Sequence, residues 1–231
     1  MAFAEDVETI CTLYGYAPLL HAMGVHIVST DEMTGIQALE RTAPTKPLAP
    51  GHVERREFEY ERHGTLSAIV NLEVATGQVT EATLGPTRTE HDFAAHIAHT
   101  VAQDPAGAWV FVVDQLNIHQ SVSLVDLVAA HCGLTDDVAQ LRAHGGLKAM
   151  ASRAAWLSDP SHRIQFVYTP KHTSWLNQIE LWFSILVRRA LKRGNFPSIA
   201  ALRERILAFI TYYNQTAKPF RWTYKGRPLV I

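Results

Sequence analysis

Hydrophobic and polar positions along the chain fall into short blocks with two different periods. Residues 5 to 23 (EDVETICTLYGYAPLLHAM) carry helical spacing, with a break predicted at Pro18, and Gly24 follows. GVHIVSTDE then has the β-branched density of a buried strand. Residues 34 to 53, rich in Thr, Pro and Gly, predict a long irregular excursion, and loops of that length inside a domain are usually functional. The charged, alternating ERREFEYERHG reads either as an exposed strand or as part of the same excursion. TLSAIVNLEV and GQVTEATLG are strand-like runs that predict a hairpin turning at Ala75-Thr76-Gly77.

From Thr89 the pattern becomes helical (TEHDFAAHIAHTVAQD), with Thr89 placed to cap the first turn. WVFVVDQ is a continuous apolar strand ending in an acid. Residues 121 to 132 are helical, 133 to 161 are mixed around Gly145-Gly146, and RIQFVYTP is again a strand. After the polar turn KHTS, helices are predicted from Trp175 to Lys192 and from Ser198 to Asn214. A hairpin followed by β-α-β crossovers predicts an α/β fold, a mixed sheet with helices on both faces. We read residues 1–231 as a single domain, with 1–23 a helical lead-in, 133–161 an insertion before the last strand, and 182–231 a helical C-terminal region.

With 231 residues, 47% apolar and 19% charged, the chain can bury a real core and is neither disordered nor fibrous. Its two cysteines, Cys11 and Cys132, exclude a disulfide framework and point to a reducing, cytoplasmic compartment. The apolar run Ala108 to Val113 is too short to cross a bilayer, and the acidic start MAFAEDVETI lacks the basic region of a signal peptide, so no membrane association is expected.

The net charge of −1 averages two unlike parts: residues 1–181 hold 11 Lys and Arg against 21 Asp and Glu, whereas residues 182–231 hold 10 against 1. That basic C-terminal region suits a polyanion, or alternatively docks on the acidic part of its own domain.

Three acids stand out. Asp31 and Asp114 close apolar strands, where sheet folds open into ligand crevices. Glu180 lies in WLNQIELWFSIL with Leu176, Asn177, Phe183 and Ser184 one turn away, a largely core-facing position where a lone carboxylate is costly. Singly, each has an ordinary explanation: a turn former at a strand end, or a pairing of Glu180 with Arg88 or Lys171. Together they point to a carboxylate cluster for Mg²⁺ or Mn²⁺, with two ions about 3.5–4 Å apart serving phosphodiester chemistry.

STDE at 29–32, VVDQLNIH at 112–119 and TPKHTSWLNQIELWF at 169–183 resemble the three signature blocks of DDE transposases of the mariner superfamily, in its bacterial insertion-sequence branch usually called IS-six-thirty. TGIQALER at 34–41, ATGQV at 75–79 and KPFRWTYKGRPL at 218–229 are similar to that branch as well. The resemblance implies an RNase H-like fold with a five-stranded sheet, and catalytic, metal-holding roles for Asp31, Asp114 and Glu180. It also implies cleavage at transposon ends, attack of the freed 3′-OH on target DNA, double-stranded DNA as partner, a homodimer on DNA, and a nucleoid-associated location. The stretch from Thr34 to His63 corresponds to a loop region that contacts DNA or a second subunit. Two departures are visible: Asp114 and Glu180 are 66 residues apart, longer than is common, and no helix-turn-helix module precedes Asp31. Alternatives are a junction resolvase-like nuclease and a truncated, non-catalytic DNA-binding remnant.

Asn117, His119, His172 and Asn177 flank the acids and are candidates for orienting water or phosphate, with loop and helix capping the alternative. His96 and His99, one helical turn apart, lack a third ligand for zinc. Ser29, Thr30 and Ser174 have no histidine base in view. Arg188, Arg189, Lys192, Arg193, Lys218, Arg221, Lys225 and Arg227 are the candidate DNA contacts, interleaved with Phe196, Phe220, Trp222 and Tyr224.

Overall fold

The computed structural model describes residues 2–224. In order, the chain forms α1 (Ala2–Ala22), β1 (Val25–Arg41), β2 (Tyr60–Glu73), β3 (Val79–Gly85), α2 (Glu90–Val101), β4 (Ala108–Val113), α3 (Val122–Cys132), α4 (Thr135–Ala143), α5 (Met150–Leu157), β5 (Ile164–Tyr168), α6 (Ile179–Leu186) and α7 (Ile199–Asn214). The sheet order is β3-β2-β1-β4-β5. β1, β2 and β3 pair antiparallel, while β4 and β5 run parallel to β1, so the sheet is mixed as expected.

β4 (AWVFVV) is apolar at every position because both its faces are covered. Val28, Phe111, Val113 and Phe166 face α2, α3 and α5, whereas Ile27, Val110 and Val112 alternate to the opposite face and pack on α1. Farther along that face, Ala68, Val70 and Leu72 of β2 meet Trp182 and Leu186 of α6 and Leu202 and Ile206 of α7. Residues 133–161 supply α4 and α5, whose Val138 and Leu157 join the core beneath α2 and α3. Thr89 caps α2 as anticipated, in a reciprocal box with Asp92.

Three expectations need correction. Pro18 does not break the first helix, since it sits on the exposed side and leaves the buried face formed by Val7, Ile10, Tyr14 and Ala17 intact. The irregular excursion begins later than Thr34: residues 34–41 continue β1 and pair with β2 after register shifts at Met33/Ile36 and Gln37/Leu39. Ile36 and Ala38 alternate into the core there, a period-2 signal masked by the surrounding Thr and Gly. Finally, no single helix spans 175–192. A 3-10 turn at Ser174–Leu176 is followed by extended Asn177, and α6 begins only at Ile179 before passing into a π turn at Val187–Leu191.

The hairpin between β2 and β3 turns at Gly77, as expected. Gly77 has φ +73°, and a Cβ there would lie 2.1 Å from the carbonyl oxygen of Lys218. Gly77→Ala is expected to destabilise the protein by about 1–3 kcal/mol, combining left-handed strain with displacement of the segment around Lys218. Urea denaturation would check this, and an unchanged midpoint would show that the C-terminal segment does not bear on the hairpin.

Candidate active site

Register decides which acids meet. β1 and β4 pair in parallel with Ser29 opposite Val112, and two more residues along that register bring Asp31 beside Asp114. Adjacent strands lie about 4.8 Å apart, so these two carboxylates come from neighbouring backbone positions. Asp31 also pairs with Val70, which faces α6, so its side chain shares a face with the helix that carries Glu180. The next residue, Glu32, pairs with Ile69 and faces the other way, into the core under α2 and α3.

Asn177 ties α6 to β1. Its Nδ2 donates to the Thr30 carbonyl at 2.9 Å and to Asp31 Oδ2 at 3.2 Å, and its Oδ1 accepts from the Ser29 hydroxyl. Ser29 Oγ in turn accepts from the Ile179 amide at 2.8 Å. These bonds explain why Asn177 is extended and why α6 starts where it does, and they bring Glu180 to the strand that carries Asp31. On the opposite side, buried His119 lies between two carboxylates, with Nδ1 2.8 Å from Asp114 Oδ1 and Nε2 2.9 Å from Glu32 Oε1. Arg88 approaches Glu32 at 3.6 Å, so the arginine weighed as a partner of Glu180 belongs instead to Glu32.

The electrostatics differ from acid to acid. Burial, with the charges of Asp114 and Glu32 added, pushes Asp31 up to about 7, against the hydrogen bond from the Glu32 amide. Burial and the charge of Asp114 raise Glu180 as well. Burial also opposes the charge on Asp114, yet the His119 hydrogen bond and charge, helped by the Leu116 amide and Arg88, outweigh it and hold that carboxyl below its usual range. His119 is desolvated, but its bonds to Asp114 and Glu32 prevail and raise it to about 10, so it is an imidazolium at neutral pH.

A family model described as DDE superfamily endonuclease matches residues 26–203. The chain belongs to that family. Among solved structures, the Mos1 mariner paired-end complex with Mn shares the fold with a TM-score of 0.54 and 13% identity, over 91% of this chain and 55% of that one. The Mos1 transposase catalytic domain with raltegravir and Mg gives 0.52 and 10%, over 91% and 83%. A further structure of the Mos1 mariner catalytic domain gives 0.52 and 11%, over 91% and 79%. The five-stranded mixed sheet is thus the RNase H-like fold of the Mos1 catalytic domain. The chain spans about half the length of the full Mos1 chain it matches. No curated protein matches it by sequence.

In this member of the family the donor set formed by Asp31, Asp114 and Glu180 is all oxygen, which suits a hard divalent cation. Burial, with the charge of Asp114 added, raises Asp31 and Glu180, and a bound cation would offset both effects. The three carboxylates are not as tightly gathered as two other groups among the described residues, whose ligand atoms all lie within 4.8 Å of one another. Beside Glu180 an open groove of about 830 Å³ runs along α6, lined by Met33, Leu181, Phe183, Arg188 and Phe220.

Of the flanking candidates, His119 and Asn177 touch the acids. Asn117 is exposed at the start of a 3-10 turn, and His172 is exposed with φ +65°. Neither has a side-chain hydrogen bond to the three acids among the described residues. His96 is buried, bonded to Thr83 and shifted down to about 3 by desolvation, so it serves the core.

Arg188, Arg189, Lys192, Arg193, Lys218 and Arg221 are at least partly exposed, and none forms an ion pair with a carboxylate among the described residues. Lys225 and Arg227 lie outside the described residues. The interleaved aromatics pack inward: Phe196 is buried, Phe220 lies against the α6–α7 core, Trp222 stands edge-on to Tyr14, and Tyr224 edge-on to Trp175.

The residue missed by sequence reasoning is Glu32. Its signal was present in STDE: adjacent acids on a strand must face opposite sides, and the second one then needs a buried cation.

Proposed function

We propose that this chain is the catalytic domain of a transposase of the bacterial insertion-sequence branch, one that cuts DNA at transposon ends and joins the freed 3′-OH to target DNA. The observation that carries the reading is the convergence of Asp31, Asp114 and Glu180 on one side of an RNase H-like sheet, with Asn177 and His119 bonded to two of them. Mos1, whose catalytic fold this chain shares, forms a paired-end complex with Mn, which supports DNA ends and a divalent ion as partners.

Asp31, Asp114 and Glu180 would hold Mg²⁺ or Mn²⁺, two ions in our reading. When bound, the ions supply Lewis acidity toward the attacking and leaving oxygens of the phosphodiester. The protein's own groups prepare that site. Asn177 holds the Asp31 carboxylate from its Oδ2 side, His119 holds Asp114, and Asp114 and Glu32 keep His119 charged, with Arg88 beside Glu32. Arg188, Arg189, Lys192 and Arg193 follow α6 away from Glu180 and track the phosphate backbone. Lys218 and Arg221 extend the basic surface, and Lys225 and Arg227 are assigned to it from sequence alone. We place the protein as a homodimer on double-stranded DNA, with the segment 42–59 reaching DNA or the second subunit, in the cytoplasm at the nucleoid. Among the described residues no helix is long and apolar enough to cross a membrane.

The test is a strand-transfer assay with pre-cut element-end DNA and a plasmid target in Mg²⁺. Joined product supports the reading; nicking without joining points to a resolvase-like nuclease, and DNA binding with neither to a non-catalytic remnant.

A second expectation concerns the basic stripe. Replacing Arg188, Arg189, Lys192 and Arg193 by Ala together should flatten the log-log salt dependence of DNA affinity, by up to about 0.9 for each lost phosphate contact, and weaken all duplex sequences alike. Binding isotherms at several salt concentrations measure this. An unchanged slope would mean that the stripe does not meet DNA.

A further inference from the structure

A second cluster sits at the other end of β1. His21 from the last turn of α1, His26 from the start of β1 and Glu73 from the end of β2 bring one ligand atom each within 4.8 Å of one another. Glu73 is almost fully buried; its Oε2 lies 2.9 Å from His26 Nδ1, and its Oε1 lies 3.9 Å from His21 Nδ1. Both Oε1 and His21 Nδ1 are buried with no hydrogen-bond partner among the described residues. Two unpartnered buried atoms facing each other are unusual, since such groups are normally bonded. The other ring nitrogen of His26 lies 3.1 Å from Asp104 Oδ2, and the ring stacks on Trp109 at 4.1 Å.

We propose that His21, His26 and Glu73 form a structural binding site for Zn²⁺, with Asp104 orienting His26 from behind. Zinc takes N at about 2.0–2.1 Å and O at about 2.0–2.2 Å in a tetrahedron, which sets neighbouring ligand atoms about 3.3 Å apart. His21 Nδ1 lies 3.9 Å from Oε1 and His26 Nδ1 lies 2.9 Å from the other oxygen, Oε2, so side-chain rotations that turn both nitrogens and one oxygen onto a common centre complete the site. An N–H held by a carboxylate behind a metal-bound imidazole is the usual outer partner of such sites, and His26 with Asp104 supplies it. Ligand nitrogens bind deprotonated, so any proton shared between His26 Nδ1 and Glu73 Oε2 leaves to solvent, and the orphan pair gains a shared partner. His21 is partly exposed, which provides the entry path and leaves the fourth position to water. Two imidazoles favour zinc over Mg²⁺. His26 lies five residues before Asp31, about 17 Å along the strand, so this site is separate from the carboxylate cluster. Its effect is to tie α1 to the sheet.

The test is titration of metal-stripped protein with Zn²⁺ in excess Mg²⁺, read by calorimetry, with Co²⁺ absorption reporting coordination geometry. One equivalent is expected, with a tetrahedral Co²⁺ spectrum and a melting temperature raised by about 5–10 °C at saturation. His21→Ala, at a partly exposed position, and His26→Gln should each weaken binding at least about tenfold and remove the thermal shift, with circular dichroism unchanged. Asp31→Asn with Asp114→Asn should leave binding intact. Unchanged affinity in His21→Ala, a six-coordinate Co²⁺ spectrum, loss of binding in the Asp31/Asp114 variant, or no binding by the wild-type chain would each overturn the proposal.

Discussion

Asp31→Asn is expected to lower cation-dependent DNA nicking by roughly a thousandfold or more while making the metal-free protein more stable at pH 8. The first effect follows from removing a charge that holds the ion. The second follows from the position of Asp31, where burial raises its pKa from 3.8 to about 7. The folded state therefore keeps a proton that the unfolded chain has already released. The contribution of Asp31 to stability is fully present below about pH 4 and is lost as pH rises through about 7. Above that, an ionised Asp31 burdens the fold, and Asn relieves about 1–3 kcal/mol of it. Asp114→Asn should also stop nicking, yet it should destabilise, because that carboxyl is held ionised by His119. Glu180→Gln should inactivate with a small stabilising effect, since burial and Asp114 raise its pKa too. Nicking assays beside urea denaturation in EDTA at pH 5 and pH 8 measure both effects. Full nicking by any one variant would remove that residue from the site.

His119→Ala should destabilise the fold by about 3–5 kcal/mol, the usual range for stripping one partner from a buried ion pair. The side chains of His119 and Glu32 are essentially inaccessible, and without the imidazolium the one cation left near Glu32 among the described residues is Arg88 at 3.6 Å. Because the folded pKa of His119 is raised to about 10, its contribution is complete below about pH 6.5 and fades as pH climbs through 10. The gap between wild type and variant should therefore narrow at high pH. Combining Glu32→Gln with His119→Gln should recover part of the loss, since neither charge is then left alone. Denaturant midpoints at pH 7 and pH 10 give the answer. A loss below about 1 kcal/mol at pH 7 would show that the pair does not support the site.

Much of the architecture was legible from local pattern. Strand cores such as WVFVVD announce themselves through continuous apolar residues, and Thr89 with Asp92 through a capping spacing. Glu180 stood out as an acid in a largely apolar stretch, although the position expected to face the core is half-buried and lines the open groove beside α6. Each is a signal spread over a few neighbouring residues, and short-range physics suffices to write it. The far end of β1 was harder, because Gly35 and the register shifts disguise the alternation of Ile36 and Ala38.

What only the tertiary structure decided are relations between distant segments. That Asp31 meets Asp114 depends on the β1–β4 register, which a one-residue slip would reverse. That His119 holds both Asp114 and Glu32 depends on packing a turn after β4 against the far face of β1, 87 positions away in sequence. Arg88 chose Glu32 over Glu180 for the same reason, and His21, His26 and Glu73 converge only once three elements share one end of the sheet. The sequence by itself determined which elements form and where acids sit on them. Their partners followed from chain pairing, because burial and charge act across space while periodicity records only neighbours along the chain.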